Sequence, residues 1–248
     1  MAVDEALLDG CALESAPPAL RLYGWCPAAL SLGSRQPLPG AALPGSLGAL
    51  GVDLVRRPTG GGAVLHERER TYAVIGRLRA GPFGGGVVAT YRRIAAALVA
   101  AMQSMGVAAE AARETRAGRR PPGACFEDLS PCEIAVRGRK LVGSAQLRRR
   151  GAFLQHGSIP LRLDAERMER AWRSPLRRER FTDLETALGR TVEPDEIDRA
   201  LVRAVAVALG VGLEPAELSP SERRRAERYV EQKYARSGWT LEGRASAA

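Results

Sequence analysis

Lysine is almost absent from this sequence. Of 37 basic residues only Lys140 and Lys233 are lysines, so arginine carries the net charge of +9. A guanidinium stays charged in any surroundings, whereas an ammonium is compact and its protonation responds to burial. A lysine kept in such a chain marks a place that arginine does not serve. Histidine is equally scarce, with only His66 and His156. Aromatic residues make up 5%. With no nucleic-acid-binding motif beside them, this argues against a nucleic-acid partner despite the positive charge. The arginines read as solvated helix faces, as in "RRRAER", and as long-range attraction for an acidic protein partner. No apolar run approaches the roughly 18 residues of a membrane helix. The N-terminus carries Asp4 and Glu5 in place of a basic signal region, so a cytoplasmic protein is expected. Four cysteines form no CxxC pair and no zinc-ligand spacing, so no metal is expected. In a cytoplasmic chain they stay reduced, and Cys11 and Cys26 read as small buried hydrophobes.

What is present suits one domain over residues 1–248, with a helical C-terminal portion from about 164 to 248. Residues 2–9 read as a short helix. "PALRLYGW" and "AALSLG" read as strands joined by a turn at Cys26-Pro27. The Pro/Gly-rich segment after them is a loop enclosing a short helix near Leu47–Leu50. "VDLVRRP", "GAVLH" and "TYAVIGRL" read as strands. From about Val87 to Met105, Tyr91, Ile94, Leu98, Met102 and Met105 recur at helical spacing as a core stripe. "ARETRAGRRPPGACF" is a proline-broken loop. "CEIAVRGRKLVGSAQLRR" predicts a hairpin turning at Arg137-Gly138, and "GAFLQHGSIPLRL" another strand. Pro194 opens one helix, and "SPSE" at Ser219–Glu222 predicts a capping box. Strands, one long helix, more strands and then helices give an α+β fold, not an alternating βαβ one.

The rare residues collect in three segments. "RRPTGGGAVLHERERTYAV" sets three glycines between strands, where glycine marks a tight turn or close approach of a ligand or another backbone. It matches neither phosphate-loop pattern. "GACFEDLSPCEI" holds Cys125 and Cys132. "GRKLVGSAQLRRRGAFLQHGSI" holds Lys140 and His156. A thiol in a loop with a lysine on a neighbouring hairpin suits acyl transfer. The thiolate is the nucleophile, and a nearby cation lowers its pKa and offsets oxyanion charge. Taken singly, Cys125 beside Phe126 could equally be buried.

Together these segments resemble the catalytic-domain superfamily of biotin-protein and lipoate-protein ligases. The glycine segment is similar to its RR-x-[ST]-GG-x-A-V-x-H hallmark, and Lys140 falls in the lipoate branch's G-x-K-x-x-G-x-A-Q. "ACFEDLSPCEIAVRGRK" resembles the cysteine-dependent octanoyltransferases that feed lipoate synthesis. "AVDEALL", "LRLYGWCPAALSLG" and "EQKYARSGWT" extend the resemblance over nearly the whole chain. The family has a strand ahead of the segment matching "MAVDEALL", whereas this sequence opens inside that helix.

The resemblance implies mixed β-sheets flanked by helices, and a glycine loop forming the wall of an acyl tunnel. It implies a ping-pong octanoyltransferase. Cys125 would take the octanoyl group from octanoyl-acyl carrier protein and pass it to the target lysine of a lipoyl domain such as the glycine-cleavage H protein. Lys140 would position the thioester carbonyl and assist proton transfer. Arg57, Thr59, Gly60, Gly61, Gly62 and His66 would line or flank the acyl site, with Gly143, Ser144 and Gln146 supporting hairpin and pocket. His156 would stand behind the site or serve only as a structural histidine. No cofactor is expected, nor a membrane partner, and the chain is expected to be a monomer. Gly62 stands where related transferases often carry arginine and lipoate ligases glycine. An ATP-dependent lipoate-protein ligase, needing ATP and magnesium, is therefore the alternative. A non-catalytic lipoyl- or octanoyl-binding protein is a weaker one. Cys132 replaces an aromatic residue and reads as a decoy hydrophobe or a competing nucleophile.

Overall fold

Two Arg-Gly pairs set the register of the larger sheet. Arg137-Gly138 and Arg150-Gly151 all have positive φ, between 50° and 79°. That is the backbone of a two-residue type I′ turn, whose twist matches that of the strands it joins. Residues 1–38, 43–78, 81–112, 132–173 and 175–243 are described by a computed structural model. Helix α1 (Ala2–Ala12) leads into β1 (Ala19–Tyr23) and β2 (Ala29–Leu32). Then come α2 (Leu43–Ala49), β3 (Asp53–Arg56), β4 (Val64–His66), β5 (Glu69–Arg77), α3 (Val87–Ser104) and β6 (Ala109–Ala111). The two turns join β7 (Ile134–Val136), β8 (Arg139–Arg149) and β9 (Ala152–Pro160). The rest is helical: α4 (Ala165–Trp172), α5 (Leu184–Leu188), α6 (Pro194–Leu209), α7 (Pro220–Tyr229) and α8 (Ser237–Glu242), with a π-helical turn at Val230–Tyr234.

Six strands form one antiparallel sheet in the order β1-β5-β9-β8-β7-β6, and three form a mixed sheet in the order β3-β2-β4. The fold is thus α+β with mixed sheets flanked by helices. The segments around Cys26-Pro27 are strands as expected, but they belong to different sheets. Cys26 sits exposed in the crossing, which corrects its reading as a buried hydrophobe; Cys11 is fully buried. On one face of the large sheet, Ile94, Leu98 and Met102 of α3 and Ile197 and Leu201 of α6 pack against Tyr72, Val74 and Phe153. On the other, Leu7, Leu8 and Cys11 of α1 pack against Ala73, Ile75 and Leu154. The small sheet has its own core with α2 and α4, built on Leu30, Leu32, Leu47, Leu65 and Met168.

The expected caps are present. Pro194 and Pro220 stand in the first turns of α6 and α7, and Ser219 and Glu222 exchange both bonds of a capping box. The chain ends are tied together by charge. Glu5 of α1 accepts from Lys233 at 2.7 and 3.0 Å, from Tyr234 at 2.6 Å and from Arg149 at 2.9 Å. The Lys233 ammonium also lies 4.1 Å from the Trp239 ring centre, a cation–π contact. Among the described residues no helix is long and apolar enough to cross a membrane.

Arg56, 1% exposed, anchors the C-terminal helix. It donates to the carbonyls of Trp239 (3.0 Å), Thr240 (3.1 Å) and Leu241 (3.1 Å), and to Gly33 (2.8 Å) and Gln36 (2.6 Å). Trp239 returns a bond from its indole nitrogen to Arg56 O at 2.9 Å. Arg56→Met keeps the stem and removes the fork, taking a donor from each of those carbonyls; Trp239 O and Gly33 O keep their backbone donors, Gly243 N and Gln36 N. Urea unfolding should show a loss of about 3 kcal/mol, the scale of a charged hydrogen-bonding group removed from a buried site. Limited proteolysis should cut first within 237–243.

Candidate acyl-transfer site

Arg57 follows at the end of β3 and turns the other way. Its Nη2 donates to the carbonyls of Gly60 (2.8 Å) and Gly62 (2.6 Å), and its Nη1 to Ser31 O and Oγ, both at 3.1 Å. Ser34 N donates to Thr59 O at 2.8 Å. The carbonyls of Thr59, Gly60 and Gly62 are therefore all drawn toward the protein. The glycine requirement in this loop is now specific. Gly61 has φ of 97°, a conformation costly for any residue with a Cβ. A Cβ on Gly33 would lie 2.0 Å from Gly61 O, so Gly33 is needed for backbone to pass backbone. Among the described residues a Cβ at Gly60 would meet nothing within 4 Å. Neither backbone strain nor packing among the described residues explains that glycine.

His156 braces this loop directly, and His66 builds a matching chain of contacts beside it on Ser31, which Arg57 also holds. His156 Nε2 lies 2.6 Å from Thr59 Oγ1, and its Nδ1 faces Asp4 Oδ2 at 3.5 Å, a charge contact too long for a full hydrogen bond. Asp4 also accepts from Arg21 (2.7 Å) and Tyr23 (2.8 Å). His66 Nε2 lies 2.8 Å from Ser31 Oγ, its ring stacks on Trp25 at 4.3 Å, and its Nδ1 faces Glu69 at 3.5 Å. Glu69 accepts from Thr71 (2.6 Å) and Ser158 (2.5 Å). These hydroxyl–imidazole–carboxylate chains form a polar layer between the two sheets. Burial pushes the His156 pKa down, against the opposing pull of Asp4. Burial alone would raise Asp4, but the amino terminus, His156 and Arg21 hold it well below the usual carboxylate range.

Register decides which face each residue of "GRKLVGSAQ" occupies. Gly143 and Ala145 pair with Ser158 and His156, and so face the polar layer. Ser144 and Gln146 pair with Gly157 and Gln155 and face α3. There Ser144 Oγ meets Tyr72 OH at 2.7 Å, and Gln146 donates to Gln155 at 2.9 Å. The Tyr72 pKa is raised by burial to about 12. Lys140 would share the helix-facing side in a regular strand. However, Ile134 pairs with Val142 and Ala135 with Lys140, so Leu141 is an extra residue, a β-bulge. Leu141 and Val142 both enter the helix-facing core. Lys140 is thereby carried to the face of Gly143 and His156.

Lys140 is fully buried, its Nζ 2.7 Å from Glu133 Oε1. Cys125 lies outside the described residues, within the span between 112 and 132. Cys132 has φ of 68° and packs half-buried against the α3 and α6 core, as a hydrophobe would. The structure thus joins Arg57, Thr59, Gly60, Gly61, Gly62, His66 and His156 in one layer and places Lys140 and Gly143 on the sheet face that borders it. Ser144 and Gln146 occupy the opposite face. Asp4, Ser31, Gly33, Glu69 and Glu133 were missed from the sequence. Asp4 and Glu5 had a signal, two acids inside an otherwise apolar "AVDEALL". The others had none. Among the described residues no group of three or more His, Cys, Asp or Glu could hold a metal ion.

Two outcomes follow. Because the folded His156 binds its proton less readily than the unfolded chain, stability is full above about pH 6.5 and falls as pH drops below it. Urea midpoints at pH 8, 6 and 5 should show this loss in the wild type and a smaller one in His156→Gln, which retains a hydrogen-bonding amide. Gly33→Ala should displace the glycine loop and cost about 2 kcal/mol or more, as overpacking against backbone does.

A family model described as "Lipoyl protein ligase A/B catalytic domain" matches residues 1–206. The chain is 41% identical over 254 residues to octanoyltransferase LipM of Kyrpidia tusciae, covering 96% of this chain and 92% of that protein. It is 34% identical over 255 residues to octanoyltransferase LipM of Bacillus subtilis, with the same coverage. Among solved structures, lipoate-protein ligase A bound with ATP superposes with a TM-score of 0.80 at 22% identity, over 97% of this chain and 92% of that one. A putative lipoate protein ligase from T. acidophilum with bound lipoic acid gives 0.76 at 22% identity over the same shares. At such identities the superpositions speak for the fold.

Proposed function

The chain belongs to the lipoyl protein ligase A/B catalytic-domain family and is an octanoyltransferase of protein lipoylation, and on that premise we propose that it works through a thioester on Cys125. The Cys125 thiolate attacks the carbonyl of octanoyl-acyl carrier protein. The carrier's thiol leaves with a proton, and the octanoyl group stays on Cys125 as a thioester. The ε-amine of the target lysine in a lipoyl domain, such as the glycine-cleavage H protein, attacks next. It loses a proton, forms the amide and releases the cysteine thiol. Converting a thioester to an amide is downhill, so the reaction needs neither ATP nor a metal. The setting we propose is the cytoplasm, with the chain acting as a monomer.

The single observation that carries the reading at the site is the placement of Lys140. A bulge spends one residue of β8 to turn its ammonium out of the helix-facing core and onto the face of the glycine loop. There it can position the thioester carbonyl and stabilise charge developing on its oxygen. The glycine loop supports the same reading, since no described residue fills the space a Cβ at Gly60 would take, leaving room there for a linear acyl chain. The net charge of +9 suits two acidic protein partners.

Intact-mass spectrometry after mixing with octanoyl-acyl carrier protein, without ATP, tests this. One octanoyl adduct is expected in wild type and in Cys132→Ala, labile to hydroxylamine and absent from Cys125→Ala. Modification of a lipoyl domain only when free octanoate or lipoate and ATP are supplied would instead make the chain a ligase.

A further inference from the structure

The inference rests on the acyl-transfer reading above and concerns Glu133. Glu133 is 3% exposed, and its carboxylate lies 2.7 Å from the ammonium of the fully buried Lys140. Two buried charges are retained together only if their geometry is well supported, because losing either leaves the other uncompensated. The support here is local and specific. Ala112 N donates to Glu133 O at 2.7 Å, and Cys132 N donates to Ala112 O at 3.2 Å, so the backbone around Glu133 is fastened to the end of β6. Cys132 takes φ of 68° immediately before it, an unusual conformation for a residue with a Cβ. The I′ turn at Arg137-Gly138 fixes the register of β7 against β8, and the Leu141 bulge rotates Lys140 to its face. Four separate features converge on one ion pair. A lysine stem is long and rotates freely. Holding one of its three hydrogens fixes where the charge sits.

We propose that Glu133 is a positioning residue for acyl transfer, holding the Lys140 ammonium as a fixed cation at the thioester and acting on the reaction only through Lys140. This differs from a purely structural ion pair. A structural pair governs how much protein is folded, whereas a positioning partner governs how fast folded protein reacts.

The experiment follows octanoyl adduct formation on Cys125 over time, with saturating octanoyl-acyl carrier protein. It compares wild type, Glu133→Gln, Glu133→Asp, Lys140→Met and the Glu133→Gln/Lys140→Met double variant, with rates corrected for the folded fraction from thermal melts. Glu133→Gln should react at least about tenfold more slowly, which is about 1.4 kcal/mol on the barrier, with little change in donor KM. Glu133→Asp should recover part of the rate. In the Lys140→Met background, Glu133→Gln should bring no further loss. A wild-type rate in Glu133→Gln overturns the proposal, as does an equal fold-loss in both backgrounds. If Glu133→Gln does not fold, Lys140→Met and the double variant, in which neither charge faces an empty partner, carry the comparison alone. Equal rates then support the proposal and a further loss overturns it. Absence of any adduct on wild-type Cys125 sinks the transferase reading itself, and is told apart because no variant is needed to see it.

Discussion

Two adjacent guanidinium groups, Arg56 and Arg57, hold this molecule's working parts in one frame. Both are buried at the end of β3 and both spend most of their hydrogens on carbonyl oxygens. Arg56 fastens the last helix, and Arg57 fastens the glycine loop. A carbonyl taken from water needs a donor, and a planar fork with five donors can serve several at fixed angles. Loop, small sheet and C-terminal segment are therefore all referenced to the same two residues. A lysine at either place would reach far fewer partners, which gives a local reason for arginine there that is independent of the chain's general preference.

The polar layer depends on that frame. Each histidine bridges a hydroxyl and a carboxylate, and each chain of contacts crosses between elements. One runs from the glycine loop through β9 to α1, the other from β2 through β4 to β5. The loop is thus held against the large sheet on one side and within the small sheet on the other. Rigidity of this kind suits the acyl-chain site proposed for this loop, because a wall held in place contributes little disorder of its own to be lost on binding.

Much of this was legible in the sequence, and the rest was hidden for identifiable reasons. The long amphipathic helix, the Arg137-Gly138 hairpin, the Ser219–Glu222 capping box and the glycine segment are local patterns, set by residues a few positions apart. The Asp4–His156 contact, the Arg56 clasp on residues 239–241 and the Glu133–Lys140 pair join residues from 7 to 185 positions apart, where no periodicity points from one to the other. The strands around Cys26-Pro27 read correctly as strands, but spacing says nothing about which sheet receives each. The bulge at Leu141 is the subtlest case. "RKLVGS" reads as the return strand of the hairpin, and only the pairing with β7 reveals that Leu141 and Val142 share a face. The lysine-to-glycine spacing of three fits that break, since three residues along a regular strand would point to opposite sides.

The near-absence of lysine has a chemical consequence once the reaction is in view. An enzyme that hands an activated acyl group to a lysine amine keeps that group close to its own surface between half-reactions. Arginine is no acceptor at ordinary pH, because its guanidinium holds its proton. Of the chain's two lysines, Lys140 is buried with its ammonium held by Glu133 on the sheet face that borders the glycine loop, and Lys233 is held by Glu5 beside an aromatic ring. Each nitrogen is engaged by a carboxylate in the folded chain. With two lysines in 248 residues, the composition leaves few side-chain amines to compete with the acceptor lysine for that group.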